Sequence, residues 1–394
     1  MSKAKLIELA KRDLQHGRDG TMHLADDIYQ VPAEYYSDRA RWQSEIDQIF
    51  LRVPLLLGAT AEMPEVGDYK TLEAIGTQVL LTRTRSGEAK AFVNMCAHRG
   101  AKLVEESNGN AHKFTCPYHG WTFSPNGDLV AVYSAEDFGE IDKSCHGLTE
   151  LPCLERAGLI WGILRPNAAL DIEQFLSGYD EMLEQFGFAE WHHEHTQAVD
   201  GPNWKVAYDG YLDYYHLPIL HRNSFGPDMG NKANYYYWGP HTHLGRPDTF
   251  WADYENLAEE EWPLPTLLQG VWTIFPHVSI ASFAGGGRSV MISQLFPGDS
   301  PGTSTTNQIF LMEKEPHTDQ LRKEAAEQFE FLKFVVEKED YATGLALQKN
   351  LETGARSHVL FGRNEEGGQT FHRWVDDIVN ADDENLPGLF SGKR

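Results

Sequence analysis

This sequence of 394 residues is poor in features that would place it in several common protein classes. It has four cysteines, too few for a disulfide-stabilised secreted scaffold of this size. It has 34 basic against 58 acidic residues, and the net charge of −24 disfavours nucleic acid and anionic lipid as partners. No apolar run approaches a membrane span, and the N-terminus reads as a charged amphipathic helix rather than a signal peptide. We therefore expect a cytoplasmic protein.

Two glycine-flanked motifs supply two thiolates and two imidazoles. They are Cys96-Ala-His98 and Cys116-Pro-Tyr-His119, so each motif contributes one sulfur and one nitrogen. Two Cys on one iron and two His on the other are the ligands of a Rieske [2Fe–2S] cluster, which passes single electrons. A structural zinc site also uses two Cys and two His, but it usually pairs like with like. The mixed pairs favour the cluster, and zinc remains the alternative.

The remaining cysteines and several histidines carry less information. Cys145 and Cys153 are interpreted as small packing or loop residues. A histidine group beside Trp191 is interpreted as a polar surface turn, and it consists of His192, His193 and His195. His241 and His243 are given the same weight.

Turn signals and changes of pattern divide the chain into three regions. Residues 1–45 have a mostly helical pattern and are expected to pack on the third region. Residues 46–166 contain short β runs between turn signals and predict a small all-β domain that carries the cluster motifs. Residues 167–394 predict a larger domain of mixed helices and strands with an antiparallel sheet. Its expected elements are a helix over 171–186, strands over 271–283, 289–296 and 305–313, and a helix from Thr318 or Asp319 to Gly354.

The segment 222–265 is rich in Tyr, Trp, His and Pro. It predicts a pocket lid or a subunit contact, and simple loop packing accounts for it equally well.

A second constellation lies in the third region, where Asp213 is followed by His216 and His221. Non-heme iron oxygenases hold Fe(II) with two His and one carboxylate, leaving the other positions open. Taken alone, the pattern also fits ordinary polar packing. Its combination with an upstream electron-transfer cluster favours the metal interpretation.

The whole sequence resembles the catalytic α subunit of a Rieske non-heme iron oxygenase of the aromatic-ring-hydroxylating type. The resemblance runs from the two cluster motifs, through Asn203-Trp-Lys205 and the Asp213-x-x-His216-x-x-x-x-His221 block, to an acidic C-terminal helix. It implies an α+β fold with a small all-β Rieske domain and a larger catalytic domain, whose antiparallel β-sheet is flanked by helices.

The resemblance also implies roles for individual residues. His216, His221 and a carboxylate of the C-terminal helix would bind the mononuclear iron. We choose Asp340 as that carboxylate, with Glu337 and Glu339 as neighbouring alternatives.

By the same resemblance, Asp213 would be a bridging carboxylate between subunits. It would link His119 of a neighbouring cluster to His216 of its own chain, within a head-to-tail homotrimer. Tyr208 and Asp209, next to the iron motif, are predicted to contact substrate.

The implied function is that of an oxygenase component that uses a Rieske cluster and Fe(II) to hydroxylate a small aromatic substrate. Oxidative demethylation, or hydroxylation of a betaine-like or carnitine-like quaternary amine, is the alternative within the class. Electrons would come from a separate NAD(P)H-dependent reductase, with a ferredoxin and a β subunit left open, because the sequence has no flavin or nicotinamide motif. From other classes, a Rieske electron carrier and a structural zinc protein remain as alternatives.

Overall fold

The small β region, residues 46–166, is built from short antiparallel strands, as its frequent turn residues predict. The structure is a computed structural model that describes residues 2–391. Glycines with positive φ, Gly76 at 70° and Gly87 at 84°, lie in the turns between neighbouring strands. The strands of this region form three small sheets. They span Leu55–Ala59, Asp68–Ala74, Thr77–Arg83, Ala89–Val93, Asn108–Asn110, Phe114–Thr115, Thr122–Phe123, Leu129–Ala131, Glu150–Leu151, Cys153–Arg156 and Leu159–Gly162.

The strand Thr77–Arg83 separates two hydrophobic cores. Val79 belongs to the main core, which extends into the rest of the chain, whereas Leu80 belongs to a smaller core. Successive side chains of a strand point to opposite faces, so Val79 and Leu80 pack into different cores. The smaller core includes Cys96 and Cys116. The two cysteine loops are therefore anchored in a core of their own.

The larger region contains a seven-stranded antiparallel sheet. From one edge to the other its strands are His192–Gly201, Ser304–Met312, Ser289–Pro297, Val278–Phe283, Val271–Ile274, His241–Gly245 and Asn234–Trp238. Together with the small β region and the flanking helices, this sheet confirms the predicted α+β class.

Three details of this sheet correct the predictions. Residues 271–283 form two strands rather than one, because the chain turns where His277 N–H donates to the carbonyl of Ile274 at 3.1 Å. The segment 222–265 supplies two strands of the sheet, since its Tyr-rich stretch Asn234–Trp238 has high strand propensity and pairs with the following strand, His241–Gly245, of the same segment. The histidines interpreted as a surface turn lie instead in the edge strand that pairs with Ser304–Met312.

Helices account for much of the remaining chain. The single helix predicted over 171–186 is wrong: it is interrupted at Ser177 and Gly178, whose φ values of 53° and 79° are left-handed and end a right-handed helix. The α-helices span Ser2–Asp19, Arg39–Glu45, Ala135–Phe138, Ile172–Leu176, Tyr179–Leu183, Trp204–Asp209, Leu217–Leu220, Leu264–Leu267, Asp319–Val335, Tyr341–Leu351, Glu366–Asn380 and Leu386–Leu389.

The long C-terminal helical segment begins where the sequence predicts. The Thr318 hydroxyl accepts a hydrogen bond from Leu321 N–H at 3.2 Å and caps the first turn. The segment then passes through a π-helical turn, Val336–Asp340, before it continues to Leu351. The α-helix thus ends shortly before Gly354, whose φ is 67°.

The N-terminal helix, Ser2–Asp19, contacts the far edge of the seven-stranded sheet. Asp13 Oδ1 accepts hydrogen bonds from the Asn234 amide and the Tyr236 hydroxyl, both at 2.6 Å. The segment 1–45 is not wholly helical, because a short strand at its centre, Tyr29–Pro32, pairs with His358–Phe361. Across residues 2–391, no helix has both the length and the apolar character that crossing a bilayer requires.

Candidate metal centres

The two cysteine loops share one backbone design. In each loop a glycine N–H donates to the cysteine carbonyl, and the distance is 3.0 Å for Gly100 to Cys96 and for Gly120 to Cys116. Each cysteine N–H in turn donates to the carbonyl of the residue after that glycine, at 2.8 and 2.7 Å. Both glycines have left-handed φ, 77° and 71°, which only glycine adopts without strain. The two motifs therefore present their ligands from two similar turns.

Within these loops the sulfurs are buried and the imidazoles face outward. Cys96 and Cys116 are free thiols with 2% and 3% exposure, and burial raises the pKa of Cys96. His98 and His119 are half-buried, with ring centroids 4.7 Å apart. The Trp121 ring stacks on His98 at 4.9 Å and fixes its plane.

This donor set fits a Rieske [2Fe–2S] cluster. Nδ1 of His98 is buried and has no hydrogen-bond partner in the part of the chain that the structure describes. A buried ring nitrogen without a partner is costly unless it serves another purpose, such as binding a metal. Two unpaired thiols lie in the same small core. Cys96, Cys116, His98 and His119 are therefore the residues that would hold the cluster.

A second group of ligand atoms converges in the catalytic region. His216 and His221 flank the short helix Leu217–Leu220, and Asp340 comes from the C-terminal helical segment. One ligand atom from each of the three lies within 4.8 Å of the others. Asp340 Oδ1 is 3.3 Å from Nε2 of His221 and 3.8 Å from Nε2 of His216. Two imidazoles and a carboxylate in this arrangement match the ligand set of a non-heme Fe(II).

The π-helical turn determines which acidic residue faces the histidines. A π turn contains an extra residue relative to an α turn, and such turns are frequent at functional sites. Here the turn ends at Asp340, which it directs to the two rings. Glu337 points away and pairs with the side chain of Lys338 at the surface. Of the three acidic residues considered from the sequence, the structure brings Asp340 to the ligand position.

Each imidazole is held on its other nitrogen by a carboxylate. Asp213 Oδ1 lies 2.9 Å from Nδ1 of His216 and accepts the backbone N–H of His216 at 3.0 Å. Glu339 Oε2 lies 2.7 Å from Nδ1 of His221. A proton on Nδ1 leaves Nε2 unprotonated and directed at Asp340, which is the usual way in which proteins orient metal-binding histidines.

The role of Glu339 was not predicted, since the sequence presents it merely as an alternative to Asp340. Its carboxylate also accepts the Ser224 hydroxyl at 2.7 Å, so its position is fixed from two sides. Burial lowers the pKa of His221, but the carboxylates of Asp340 and Glu339 outweigh burial and raise that pKa above its usual value. A bound cation would take the place of that proton on the side of Asp340.

A cavity of about 130 Å³, which we call the inner cavity, adjoins the three ligands. Its wall is largely aromatic and aliphatic, and none of the described residues that line it is Lys or Arg. Such a wall suits an apolar guest. The aromatic members are Tyr211, Tyr214, Phe225, Phe283 and Tyr341.

The two predicted substrate contacts do not line this cavity. Tyr208 is buried and its hydroxyl donates to the carbonyl of Val278 at 3.1 Å. Asp209 accepts hydrogen bonds from the Tyr36 hydroxyl and from Nε2 of His372, both at 3.0 Å. The structure therefore places both residues in internal contacts and away from a guest in the inner cavity.

The Asn203-Trp-Lys205 motif joins the N-terminal segment to the catalytic region. Asn203 caps the helix Trp204–Asp209 by accepting Lys205 N–H at 2.8 Å. The side chains of Trp204 and Lys205 both contact Glu45, and the Lys205–Glu45 ion pair is fully buried. The motif thus has a structural role, and it precedes the segment that carries Asp213, His216 and His221.

The other histidines and cysteines lie outside both groups. His241 and His243 are buried, and burial lowers their pKa values to about 4 and about 3, so both stay neutral. Burial raises the pKa of the Cys153 thiol to about 12, and Cys145 is exposed.

Comparisons with known proteins find two family profiles, one that spans the cluster loops and one that spans the three iron-site residues. The profile described as Rieske [2Fe-2S] domain matches residues 54–142, and that described as ring hydroxylating alpha subunit (catalytic domain) matches residues 188–381. Both matched spans lie inside the predicted regions 46–166 and 167–394, so the boundaries of these regions stay predictions.

Individual relatives extend this similarity. Toluate 1,2-dioxygenase subunit alpha of Pseudomonas putida is 32% identical over 207 residues, covering 50% of this chain and 45% of the relative. The chain thus spans about half the length of the aromatic dioxygenase relatives that it matches. The carnitine monooxygenase oxygenase subunit of Escherichia coli (strain K12) is 26% identical over 334 residues, covering 83% of this chain and 85% of the relative. A solved naphthalene 1,2-dioxygenase from Rhodococcus sp., bound to indole, has the same fold with a TM-score of 0.74 and 21% identity, covering 96% of this chain and 99% of that chain.

Proposed function

Because the chain belongs to the family of Rieske ring-hydroxylating oxygenase α subunits, we propose that it is the oxygenase component of an enzyme that hydroxylates a small aromatic substrate. The observation that carries this proposal is the convergence of His216, His221 and Asp340 beside an apolar cavity. Asp340 is distant in sequence from the two histidines, which flank one short helix, so its meeting with them does not follow from helix or turn geometry alone. The catalytic domain also argues against a simple electron carrier, which needs a cluster and no second site.

The bound groups would supply the redox chemistry, because a mononuclear Fe(II) activates O2 and a Rieske cluster delivers single electrons. The chain's own residues orient and enclose the site. Asp213 and Glu339 each hold the Nδ1 proton of one imidazole. The aromatic wall of the inner cavity binds the ring and keeps bulk water from it.

Electron delivery gives Asp213 its second proposed role. Its side chain is 17% exposed and that of His216 is 22% exposed, whereas that of His221 is 4% exposed. The side chain of Asp340 is also exposed, at 23%, but Asp213 is the exposed carboxylate that holds Nδ1 of His216, and this contact favours a route through Asp213 and His216. We propose that the partner subunit's His119 meets Asp213 there, in a homotrimer that receives electrons from a separate NAD(P)H-dependent reductase, directly or through a ferredoxin.

Oxidation of a quaternary amine is a second candidate. It is favoured by the carnitine monooxygenase relative, which aligns with this chain over most of both lengths. The inner cavity has an aromatic wall and two carboxylates, Asp213 and Asp340, but no Lys or Arg among its described lining residues. Such a wall attracts a cation and repels an anion.

Metal analysis and turnover test these proposals together. The purified protein should contain one iron beyond the two of a [2Fe–2S] cluster, and Asp340→Ala should lose that iron while it keeps the visible absorption of the cluster. Oxygen uptake and product formation with a surrogate reductase are then compared across aromatic hydrocarbons, aromatic acids and methylated amines. Zinc in place of iron, or an iron content unchanged in Asp340→Ala, would contradict the proposed function. Product from the amines alone would favour the second candidate.

A further inference from the structure

A second and larger cavity, which we call the outer cleft, lies next to the inner cavity. Its volume is about 1140 Å³, and one of its walls is the N-terminal helix Ser2–Asp19. It lies at the ends of the sheet strands around Gly245 and Val271. Six residues line both spaces, so the two spaces share a wall. They are Tyr214, Leu217, Phe225, Val271, Ala281 and Phe283.

The two volumes indicate an elongated ligand. Small-molecule sites usually measure roughly 300–1,000 Å³. The inner cavity, at about 130 Å³, is smaller than this range, whereas the outer cleft is larger. A ligand that fills a site of ordinary size would therefore place its reacting end in the inner cavity and extend past the shared residues into the outer cleft.

The outer cleft contains a buried carboxyl group that forms no ion pair, and the only cation whose charge lowers its pKa is the neighbouring Arg12 among the described residues. Asp13 is 4% exposed, and both of its hydrogen bonds, from Asn234 and Tyr236, go to Oδ1. Within residues 2–391, Oδ2 accepts no hydrogen bond and Asp13 forms no ion pair. Burial raises the pKa of this carboxyl to about 7, so its ionised form is not favoured by the protein around it.

The arginines of the cleft differ from Asp13, because each has a carboxylate near it. Arg288 donates to Glu313 at 2.8 Å, and Arg246 lies 3.9 Å from Asp248. Buried charges are normally paired, and a buried carboxylate without a partner is stabilised by a cation. A positive group near Oδ2 would therefore stabilise the ionised form of Asp13 in this cleft.

We propose that the outer cleft is the distal part of the substrate site, and that Asp13 is a specificity-determining residue for a protonated amine at the far end of an elongated substrate. The inference rests on the proposed function, because it treats the inner cavity as the place of reaction. The substrate would have an apolar reacting end beside His216, His221 and Asp340, and an ammonium group that binds Oδ2 of Asp13. The N-terminal helix would then contribute directly to substrate selection.

The test compares matched probes on the iron-loaded holoenzyme. A series of ω-phenylalkylamines of increasing chain length is compared with the phenylalkanes and ω-phenylalkanoates of the same lengths. Binding is followed by tryptophan fluorescence, since Trp251 lines the cleft, and product formation is measured separately. Asp13→Asn keeps an oxygen for Asn234 and Tyr236 but removes the charge. Asp19→Asn, at the exposed end of the same helix, makes the same substitution outside the cleft and is the control.

We expect the wild-type protein to prefer the amine of one chain length over the corresponding phenylalkane. In Asp13→Asn this preference should fall at least about tenfold, which corresponds to about 1.4 kcal/mol, and in Asp19→Asn it should persist. An equal loss of both probes in Asp13→Asn, or no amine preference in the wild-type protein, would overturn the inference.

A measurement on the wild-type protein keeps the test valid if Asp13→Asn does not fold. Saturating amine should raise the thermal unfolding temperature more than the matched phenylalkane does, and an equal rise would overturn the inference. Asp13-dependent binding of the amine without any product would count against the proposed function and support the cleft assignment. Hydroxylation of simple aromatics without a preference for the amine would support the proposed function and count against the cleft assignment.

Discussion

The contact between Glu339 and His221 predicts a specific loss of iron affinity. Glu339→Gln preserves the size of the side chain but removes the negative charge from the carboxylate that holds both Nδ1 of His221 and the Ser224 hydroxyl, at 2.7 Å each. The side chain is 15% exposed, so solvent replaces little of the lost interaction. Loss of such a ring-orienting partner typically costs about 10–100-fold in metal affinity, or roughly 1.4–2.7 kcal/mol.

The assay is a competitive titration of the iron with a chelator. Retained iron is measured against the visible absorption of the cluster, which serves as the internal reference because the cluster ligands belong to a different core. Glu337→Gln is the matched control, since Glu337 lies in the same π turn but pairs with Lys338 at the surface. If both variants held iron as tightly as the wild-type protein, the reasoning that Glu339 fixes the ring of His221 would be refuted.

Three other substitutions give separable outcomes. Asp213→Asn should keep iron and cluster contents but lose most product formation, and normal turnover in that variant would reject the bridging role. Gly100→Ala should lower the unfolding free energy by about 1–2 kcal/mol, measured by denaturant titration, because alanine is strained at a φ of 77°; an unchanged midpoint would contradict this. For Asp13 the folded pKa is raised from 3.8 to about 7, so its contribution to stability is fully present below pH 3.8 and is lost as pH rises through about 7. Unfolding free energies measured across this window should therefore shift in favour of Asp13→Asn as pH rises, and parallel curves for the two proteins would refute the burial argument.

The cluster site was predictable because its information is local. Both motifs carry their cysteine, histidine and glycine within a few residues, so a single turn design brings each pair of ligands together. Burial of the sulfurs also follows locally, since each loop is anchored in the small core by its own cysteine. Sequence spacing therefore favoured a two-loop cluster over a zinc site with like pairs, and the match to the Rieske [2Fe-2S] domain supports the same choice.

The iron site was predictable in part, because its third ligand depends on a distant helix. An ideal helix over 318–354 does not distinguish Glu337, Glu339 and Asp340 by periodicity alone, and the π turn that distinguishes them has no clear sequence signal. The same limit explains Tyr208 and Asp209, which are near the iron motif in sequence but face other parts of the core. The strands within 222–265 pair with each other as a local hairpin, Asn234–Trp238 with His241–Gly245, and only the second strand has a partner outside the segment, Val271–Ile274. They were missed because the Tyr-rich composition was interpreted as a lid, a subunit contact or loop packing.

In the cluster loops the histidines are more exposed than the cysteines, and in the iron site His216 and Asp340 are both more exposed than His221. In the cluster loops the cysteines are 2–3% exposed and the histidines are half-buried, while in the iron site the side chain of His216 is 22% exposed and that of His221 is 4% exposed. A carboxylate can accept hydrogen bonds from two imidazole N–H groups at once, so a single acidic residue is sufficient to join an outward histidine of each centre. Asp213 already contacts His216, whereas Glu339 is committed to the buried ring and to Ser224. We therefore propose Asp213 rather than Glu339 as the bridging carboxylate, because Asp213 contacts the more exposed of the two histidines.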